Sequence, residues 1–450
     1  MDVLKIKGNN SLTGEFKASG AKNAITKMLV ASLISKKRCI FSNVPNITEV
    51  QVTIDLCREI GMEAQWDKET QTLEVITKEL KTTYIPQRFS GANRIPILMI
   101  GALLGRTDKD IVVPTVGGCN IGKRPVTFHI DALRALGAEV EYRDRKIDGA
   151  YFAQSPNGLK GTIIELPYPS VGATENIILA ASRAKGVTIL KNAATEPEVI
   201  DLILFLQKLG INIYFDLNRT IYIHETTQFN EVKHHVITDR IEAASIGMSA
   251  ISTKGRVFVK GIRQEHMITF LNKIREIRGG FQVYNTGIEF FYKEPLKGGV
   301  QIETSVHPGF MTDWQQPFVV VLTQAKGTSI VHETVYENRF GYTKILNEMG
   351  ADIESFSQCL GGHSCRFAHQ NYNHSVIVRG PTKLTGHKIA IPDLRAGFAY
   401  VLAALISPEE SEISNLFYLD RGYESLETKL SLLGADIQRV PAKEPVTLVT

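Results

Sequence analysis

Hydrophobic and polar positions along the chain alternate between two helical patterns, and the pair recurs six times. The first pattern is apolar nearly all round and rich in small residues, at 21–34, 92–104, 173–184, 241–251, 314–325 and 394–406. Helices of this kind are buried on every side and pack closely through Ala, Gly and Ser. The second pattern is amphipathic and starts from cap or proline signals such as Asn46-Ile47-Thr48-Glu49 and Thr195-Glu196-Pro197-Glu198. Stretches with strand composition, among them Val187-Thr188-Ile189-Leu190 and Arg256-Val257-Phe258-Val259, lie between and after the helices. Each unit then turns on a glycine: Ile60-Gly61-Met62, Leu136-Gly137-Ala138, Leu209-Gly210-Ile211, Arg278-Gly279-Gly280, Met349-Gly350-Ala351 and Leu433-Gly434-Ala435. Successive turn glycines lie 76, 73, 69, 71 and 84 residues apart. Such spacing marks one supersecondary unit copied six times, each copy burying its apolar face on its neighbours. The expected fold class is therefore α/β, built from six βαβαββ repeats.

A chain of 450 residues exceeds one ordinary core, so two domains of three repeats are expected. The polar stretch 225–235 has little apolar periodicity and places the division near Ile237-Thr238. Composition is that of a soluble globular protein, 43% hydrophobic and 22% charged. A net charge of +4 without a Lys/Arg run gives no support to a nucleic-acid partner. The first residues carry no apolar signal core, and the longest apolar run, 95–105, holds a proline and is too short to span a membrane. Five scattered cysteines fit reduced thiols in the cytoplasm, which makes sequons such as Asn46-Ile47-Thr48 accidental.

Cations stand where a helix dipole disfavours them. Lys22, Arg94, Arg240 and Arg395 sit at the starts of small-residue helices, and Arg124, Arg339 and Arg421 at those of amphipathic ones. Each placement costs about 0.3–1 kcal/mol. Each cation can pair with a nearby Asp or Glu as a surface cap. Alternatively, repeat symmetry gathers them around a shared anion, which helix N-terminal amides and guanidinium forks suit. Equivalent placement in the repeat favours the anion, and a ligand with both phosphate and carboxylate would use this many donors.

Gly117-Gly118-Cys119-Asn120-Ile121-Gly122-Lys123-Arg124-Pro125 is the sharpest local signal. Three glycines make a mobile loop, and the neighbouring cations favour a thiolate at Cys119. A surface loop with an incidental cysteine is the competing reading. Cys39 and Cys57 lie in or beside apolar patterns and read as inert core residues.

Seven segments, in order, resemble those of the UDP-N-acetylglucosamine 1-carboxyvinyltransferases, a family of enolpyruvyl transferases. They are Ser19-Gly20-Ala21-Lys22-Asn23-Ala24, the 117–125 loop, Ser170-Val171-Gly172-Ala173-Thr174, Asp239-Arg240-Ile241-Glu242, Glu337-Asn338-Arg339-Phe340, Asp393-Leu394-Arg395-Ala396 and Asp420-Arg421-Gly422-Tyr423. The resemblance runs from about residue 3 to 440. It implies an enolpyruvyl transferase fold, an inside-out α/β barrel of two pseudo-threefold domains, at 21–237 and at 1–20 plus 238–450, with substrate in the cleft between them. The implied reaction moves the enolpyruvyl group of phosphoenolpyruvate to the 3-hydroxyl of UDP-N-acetylglucosamine and releases phosphate, without metal or organic cofactor. It begins peptidoglycan precursor synthesis. No nucleic-acid or membrane partner is expected, and a monomer is favoured although the sequence leaves the oligomeric state open.

Carried over by motif, Cys119 is general acid, covalent acceptor of phosphoenolpyruvate, or both, and Asp313 takes the hydroxyl proton. A plain helix cap is the other reading of Asp313. Lys22, Arg124 and Arg421 are implied phosphate ligands, and Arg339 and Arg395 hold the carboxylate or the tetrahedral intermediate. Arg94 orients the loop or the diphosphate. Asn23, Ser170, Val171 and Gly172 fall on the sugar-nucleotide side, Arg124 and Pro125 flank the uracil, and Val126, Val335 and Asp393 complete the substrate-binding set. Thr127, Tyr168 and Trp314 depart from the family pattern, so acceptor identity rests on less than reaction type. Transfer to another sugar nucleotide, or a non-catalytic sugar-nucleotide-binding paralogue, remains the alternative. The segment 355–374 also departs and reads as an insertion. Its Cys359, His363, Cys365 and His369 have a spacing that can ligate zinc, while Gly361-Gly362 equally describes a loop.

Overall fold

The fold is that of a computed structural model, which describes residues 2–91, 93–117, 126–144, 149–362, 365 and 367–442. The chain divides into two compact units, one formed by the described residues of 20–237 and one in which residues 2–19 join the described residues of 238–442. Each has its own hydrophobic core. Small-residue helices form the centre of both. Lys22–Ser32, Leu98–Leu104 and Val171–Ala181 lie in the first unit, and Arg240–Ser252, Thr312–Leu322 and Leu394–Ile406 in the second. Twelve of the thirteen residues of Leu394–Ile406 are buried, as an apolar sequence with Gly and Ala at its contacts requires. Helix Leu394–Ile406 packs on Thr312–Leu322 and on Arg240–Ser252, and these two pack on each other.

Six small sheets surround these helices among the described residues. The common order puts a short first strand parallel to a second, followed by an antiparallel hairpin. Gln301–Glu303, Gly327–His332, Ser375–Gly380 and Asp352–Phe356 follow that order. Chain ends and the crossover between units alter the pattern. Thr13–Lys17 lies parallel to Arg256–Lys260, and Val232–His235 lies parallel to Cys39–Ser42. Asp2–Lys7 pairs antiparallel with both Glu410–Ser414 and Asp436–Pro441. Each unit thus completes its ring of sheets with a strand distant in sequence.

Two local expectations need correction. The pattern 92–104 predicts one helix, but the structure has a 3-10 turn at Ile95–Ile97 before the α-helix begins at Leu98. Pro96 supplies no amide donor, and the Asn93 side chain caps the Ile95 amide at 2.9 Å. The second concerns the turns. Gly61, Gly137, Gly210, Gly350 and Gly434 take left-handed φ, as the pattern requires, but in the fourth repeat that place belongs to Arg278 at φ 65°, one residue before Gly279. Cys39 and Cys57 are buried core residues, and burial pushes both thiols up, Cys39 to about 12.

Candidate active site

In the unit of residues 238–442, the starts of the three central helices hold Asp239 and Arg240, Asp313, and Asp393 and Arg395. Asp239 accepts from the amides of Ile241 and Glu242 and so caps Arg240–Ser252. Asp393 accepts from Arg395 and Ala396 and caps Leu394–Ile406 in the same way. Thr312–Leu322 lacks a side-chain cap, and Asp313 occupies its first turn.

Asp313 is held by two guanidinium groups. Arg339 Nη2 donates to Asp313 Oδ1 at 2.7 Å, and Arg395 Nε lies 3.3 Å from Oδ2. Both arginine side chains are buried, whereas Asp313 keeps 18% of its side-chain surface. Burial opposes the charge on Arg339, but Asp313, Asp393 and Glu333 hold its guanidinium above the ordinary value. Arg395 is likewise raised, against burial, by Asp313, Tyr423 and Asp239. Arg339 Nε is buried without a hydrogen-bond partner among the described residues, so a strong donor remains for a ligand. The cations Arg339 and Arg395 therefore share a carboxylate 26 and 82 residues away in sequence, in a buried arrangement rather than as local surface caps.

Glu333 organises the approach to Arg339, and nothing in its sequence context singled it out. Its carboxylate accepts from Thr304 Oγ1 (2.9 Å), Thr312 Oγ1 (2.8 Å) and the amides of Val335 (2.8 Å) and Tyr336 (3.1 Å). Burial raises its pKa, with Arg339 and these donors acting in the other direction. The loop through Val335 is thereby tied to the start of the Asp313 helix. Arg240 turns elsewhere: its guanidinium lies 5.3 Å from the centre of the Trp314 ring and 3.5 Å from the His266 carbonyl. Trp314, a departure at sequence level, is a buried core residue. Arg421 follows the short helix Phe417–Asp420.

In the unit of residues 20–237, Lys22 and Asn23 open the helix Lys22–Ser32, which has no side-chain cap. Ser170 caps Val171–Ala181, accepting from Ala173 at 3.4 Å. A Cβ on Gly172 would meet the His129 ring at 3.2 Å, so Gly172 allows a close approach. His129 is buried and pushed down to about 3 by desolvation and by the charge of Arg94, so it is a neutral ring at neutral pH. Val126 and Thr127 begin the helix Thr127–Ala135, with Thr127 exposed, and Tyr168 is half-buried. Cys119, Arg124 and Pro125 lie outside the described residues.

The sequence matches the family described as EPSP synthase (3-phosphoshikimate 1-carboxyvinyltransferase) over residues 6–430. It is 66% identical to a UDP-N-acetylglucosamine 1-carboxyvinyltransferase of Protochlamydia amoebophila, covering 99% of this chain and 96% of that protein. It is 52% identical to the protein of the same name in Chlamydia pneumoniae, covering 97% and 95%. The chain belongs to the UDP-N-acetylglucosamine 1-carboxyvinyltransferase family. Its fold is shared with the enolpyruvyl transferase NikO from Streptomyces tendae, at a TM-score of 0.85 and 22% identity over 98% of this chain and 99% of that one. Among the described residues, no helix is long and apolar enough to cross a membrane.

Proposed function

We propose that this chain transfers the enolpyruvyl group of phosphoenolpyruvate to the 3-hydroxyl of UDP-N-acetylglucosamine, releasing phosphate, in the cytoplasm and as a monomer. The product is the first committed precursor of peptidoglycan. The observation that carries the reading is the Asp313 carboxylate clamped by Arg339 and Arg395, inside a chain whose relatives bear that activity in their names.

The chemistry is addition followed by elimination. The sugar hydroxyl oxygen bonds to C2 of phosphoenolpyruvate while C3 gains a proton, giving a tetrahedral intermediate. C3 then loses a proton, the C2–O bond to phosphate breaks, and the enol ether remains. Asp313 takes the hydroxyl proton. Arg339 and Arg395 hold the carboxylate of phosphoenolpyruvate and stabilise charge as it develops. A substrate carboxylate that engages these guanidinium groups withdraws donors from Asp313, and the loss of opposite charge raises its basicity. Binding thus arms the base. Lys22, Arg124 and Arg421 bind phosphate, Arg94 orients the diphosphate, and Cys119 supplies the C3 proton or adds covalently. Asn23, Pro125, Val126, Ser170, Val171, Gly172, Val335 and Asp393 form the remaining substrate contacts.

The test measures phosphate release from phosphoenolpyruvate with and without UDP-N-acetylglucosamine and confirms the product mass. Phosphate plus the enolpyruvyl adduct is expected, with altered turnover in Cys119→Ser. Phosphoenolpyruvate binding without acceptor-dependent phosphate release would refute the acceptor and point to Thr127 and Tyr168.

A further inference from the structure

The hairpins that close the sheets have short connections with one exception. Residues 68–71, 144–149, 216–220 and 285–286 join their strands, whereas 357–374 run between Asp352–Phe356 and Ser375–Gly380. An excursion of that length needs its own means of ordering. It carries two of the chain's five cysteines, Cys359 and Cys365, neither of them in a disulfide among the described residues.

These cysteines meet two histidines, but not the pair that spacing suggested. His369 is exposed, and His363 lies outside the described residues. His332, the last residue of Gly327–His332, and His374, just before Ser375–Gly380, close the group instead. The ligand atoms of His332, Cys359, Cys365 and His374 all lie within 4.8 Å of one another. Cys359 Sγ is 3.3 Å from His374 Nε2. Bonds of about 2.0–2.3 Å from a tetrahedral ion to N and S donors put neighbouring donors roughly 3.3–3.8 Å apart. A small contraction of the group satisfies that geometry.

The surroundings orient the donors as metal ligands are oriented. His374 Nδ1 lies 2.7 Å from the Tyr372 carbonyl. A carbonyl only accepts, so Nδ1 carries the proton and Nε2 turns its lone pair towards Cys359. His332 Nδ1 lies 2.8 Å from Ser375 Oγ, while its Nε2 is buried with no hydrogen-bond partner among the described residues. Both histidines are fully buried. The Phe367 amide donates to Cys365 Sγ at 3.3 Å, which favours a thiolate there. The Gly362 amide donates to Glu303, pinning the glycine pair beside His332. Register between the strands sets His332 opposite Ser375 and fixes half of the group before the excursion folds.

We propose that His332, Cys359, Cys365 and His374 form a structural zinc site that fastens the 357–374 excursion to its sheet. Two thiolates with two imidazoles select zinc over the harder divalent ions, and four protein donors leave no position open for chemistry. Binding releases the thiol protons, so occupancy rises with pH and falls under chelation. The ion plays no part in enolpyruvyl transfer.

The full-length protein, purified under reducing conditions without a metal-binding tag, is analysed for zinc by mass spectrometry. About one zinc per chain is expected, lost from Cys359→Ser and Cys365→Ser and retained in Cys39→Ser. The wild type, stripped by chelator and titrated with cobalt(II), gives the ligand-field bands of a tetrahedral site with thiolate charge transfer, which keeps the test valid if a variant fails to fold. Zinc-loaded protein shows lower hydrogen exchange in 357–374 than stripped protein. Absence of zinc and of the cobalt spectrum, a Cys359–Cys365 disulfide in reduced preparations, or zinc retained in both serine variants overturns the proposal.

Discussion

In the proposed mechanism Asp313 has two roles that oppose each other, because each guanidinium that positions its carboxylate also weakens it as a base. Asp313→Asn keeps the shape and removes the proton acceptor, so kcat should fall about 100- to 10,000-fold with little change in fold. A loss of less than about tenfold would transfer the role to another group. Arg339→Ala removes a charge-assisted bond worth about 1.5–3 kcal/mol and leaves Asp313 with one fewer donor. A double-mutant cycle with Asp313→Asn should show strongly non-additive kcat/KM, and additive losses would place the two groups in separate steps. A different pressure acts on Glu175, which is fully buried with neither carboxylate oxygen hydrogen-bonded among the described residues. Burial, against the charge of Lys27 and with Glu196 and Glu198, lifts its pKa from 4.5 to about 7. A raised carboxyl pKa stabilises the fold fully below pH 4.5, and that contribution disappears as pH rises to about 7. The loss amounts to about 3 kcal/mol. Glu175→Gln should therefore be the more stable protein at pH 8 and lose its advantage at pH 4.5, as read by urea unfolding at both. Parallel pH curves would show that Glu175 stays charged.

The turns after the amphipathic helices test the same principle at the level of elements. A Cβ at Gly137 or Gly434 has room, with nearest atoms at 3.6 and 3.7 Å, so Gly→Ala there meets only the left-handed backbone penalty of about 1–2 kcal/mol. Arg278 already bears that penalty, partly compensated by an exposed pair with Glu294 at 3.2 Å. Arg278→Gly should leave thermal stability unchanged or raise it by up to about 1 kcal/mol, whereas Gly137→Ala and Gly434→Ala should lower it. Equal losses in all three would refute the equivalence of the turns. These sites show what was legible in the chain. Buried helices were plain because they are apolar all round and their neighbours repeat the pattern. Five turns were plain because glycine is the default for positive φ. The start at Leu98 and the turn at Arg278 were hidden, since each depends on one side chain or backbone angle that composition averages away. In the site, the Asp239 and Asp393 caps could be read from three-residue spacing, but Glu333 could not. Its side-chain partners Thr304 and Thr312 lie on two other segments and share no period with it.

Over the whole molecule, long-range pairing decides what sequence distance conceals. His332 reaches Cys359 and Cys365 because antiparallel register returns the chain to the end of its strand, not because of any spacing within the inserted segment. The same logic places residues 2–17, which precede the first unit, in the sheets of the second. Asp2–Lys7 is an interior strand between Glu410–Ser414 and Asp436–Pro441, and Thr13–Lys17 completes the sheet of Arg256–Lys260. Val3, Leu4, Ile6, Leu12 and Phe16 are buried there. Removing 2–17 breaks three strand ladders and opens the core around Ile413 and Ile437, a loss well beyond the stability of an ordinary domain. Hydrogen exchange should then rise sharply in Arg256–Lys260, Glu410–Ser414 and Asp436–Pro441. Lys22–Ser32 and Cys39–Ser42, whose first-strand partner is Val232–His235, should keep their protection although they adjoin the deletion in sequence. Exchange that spreads first into Lys22–Ser32 would mean that chain proximity, rather than strand pairing, governs stability here.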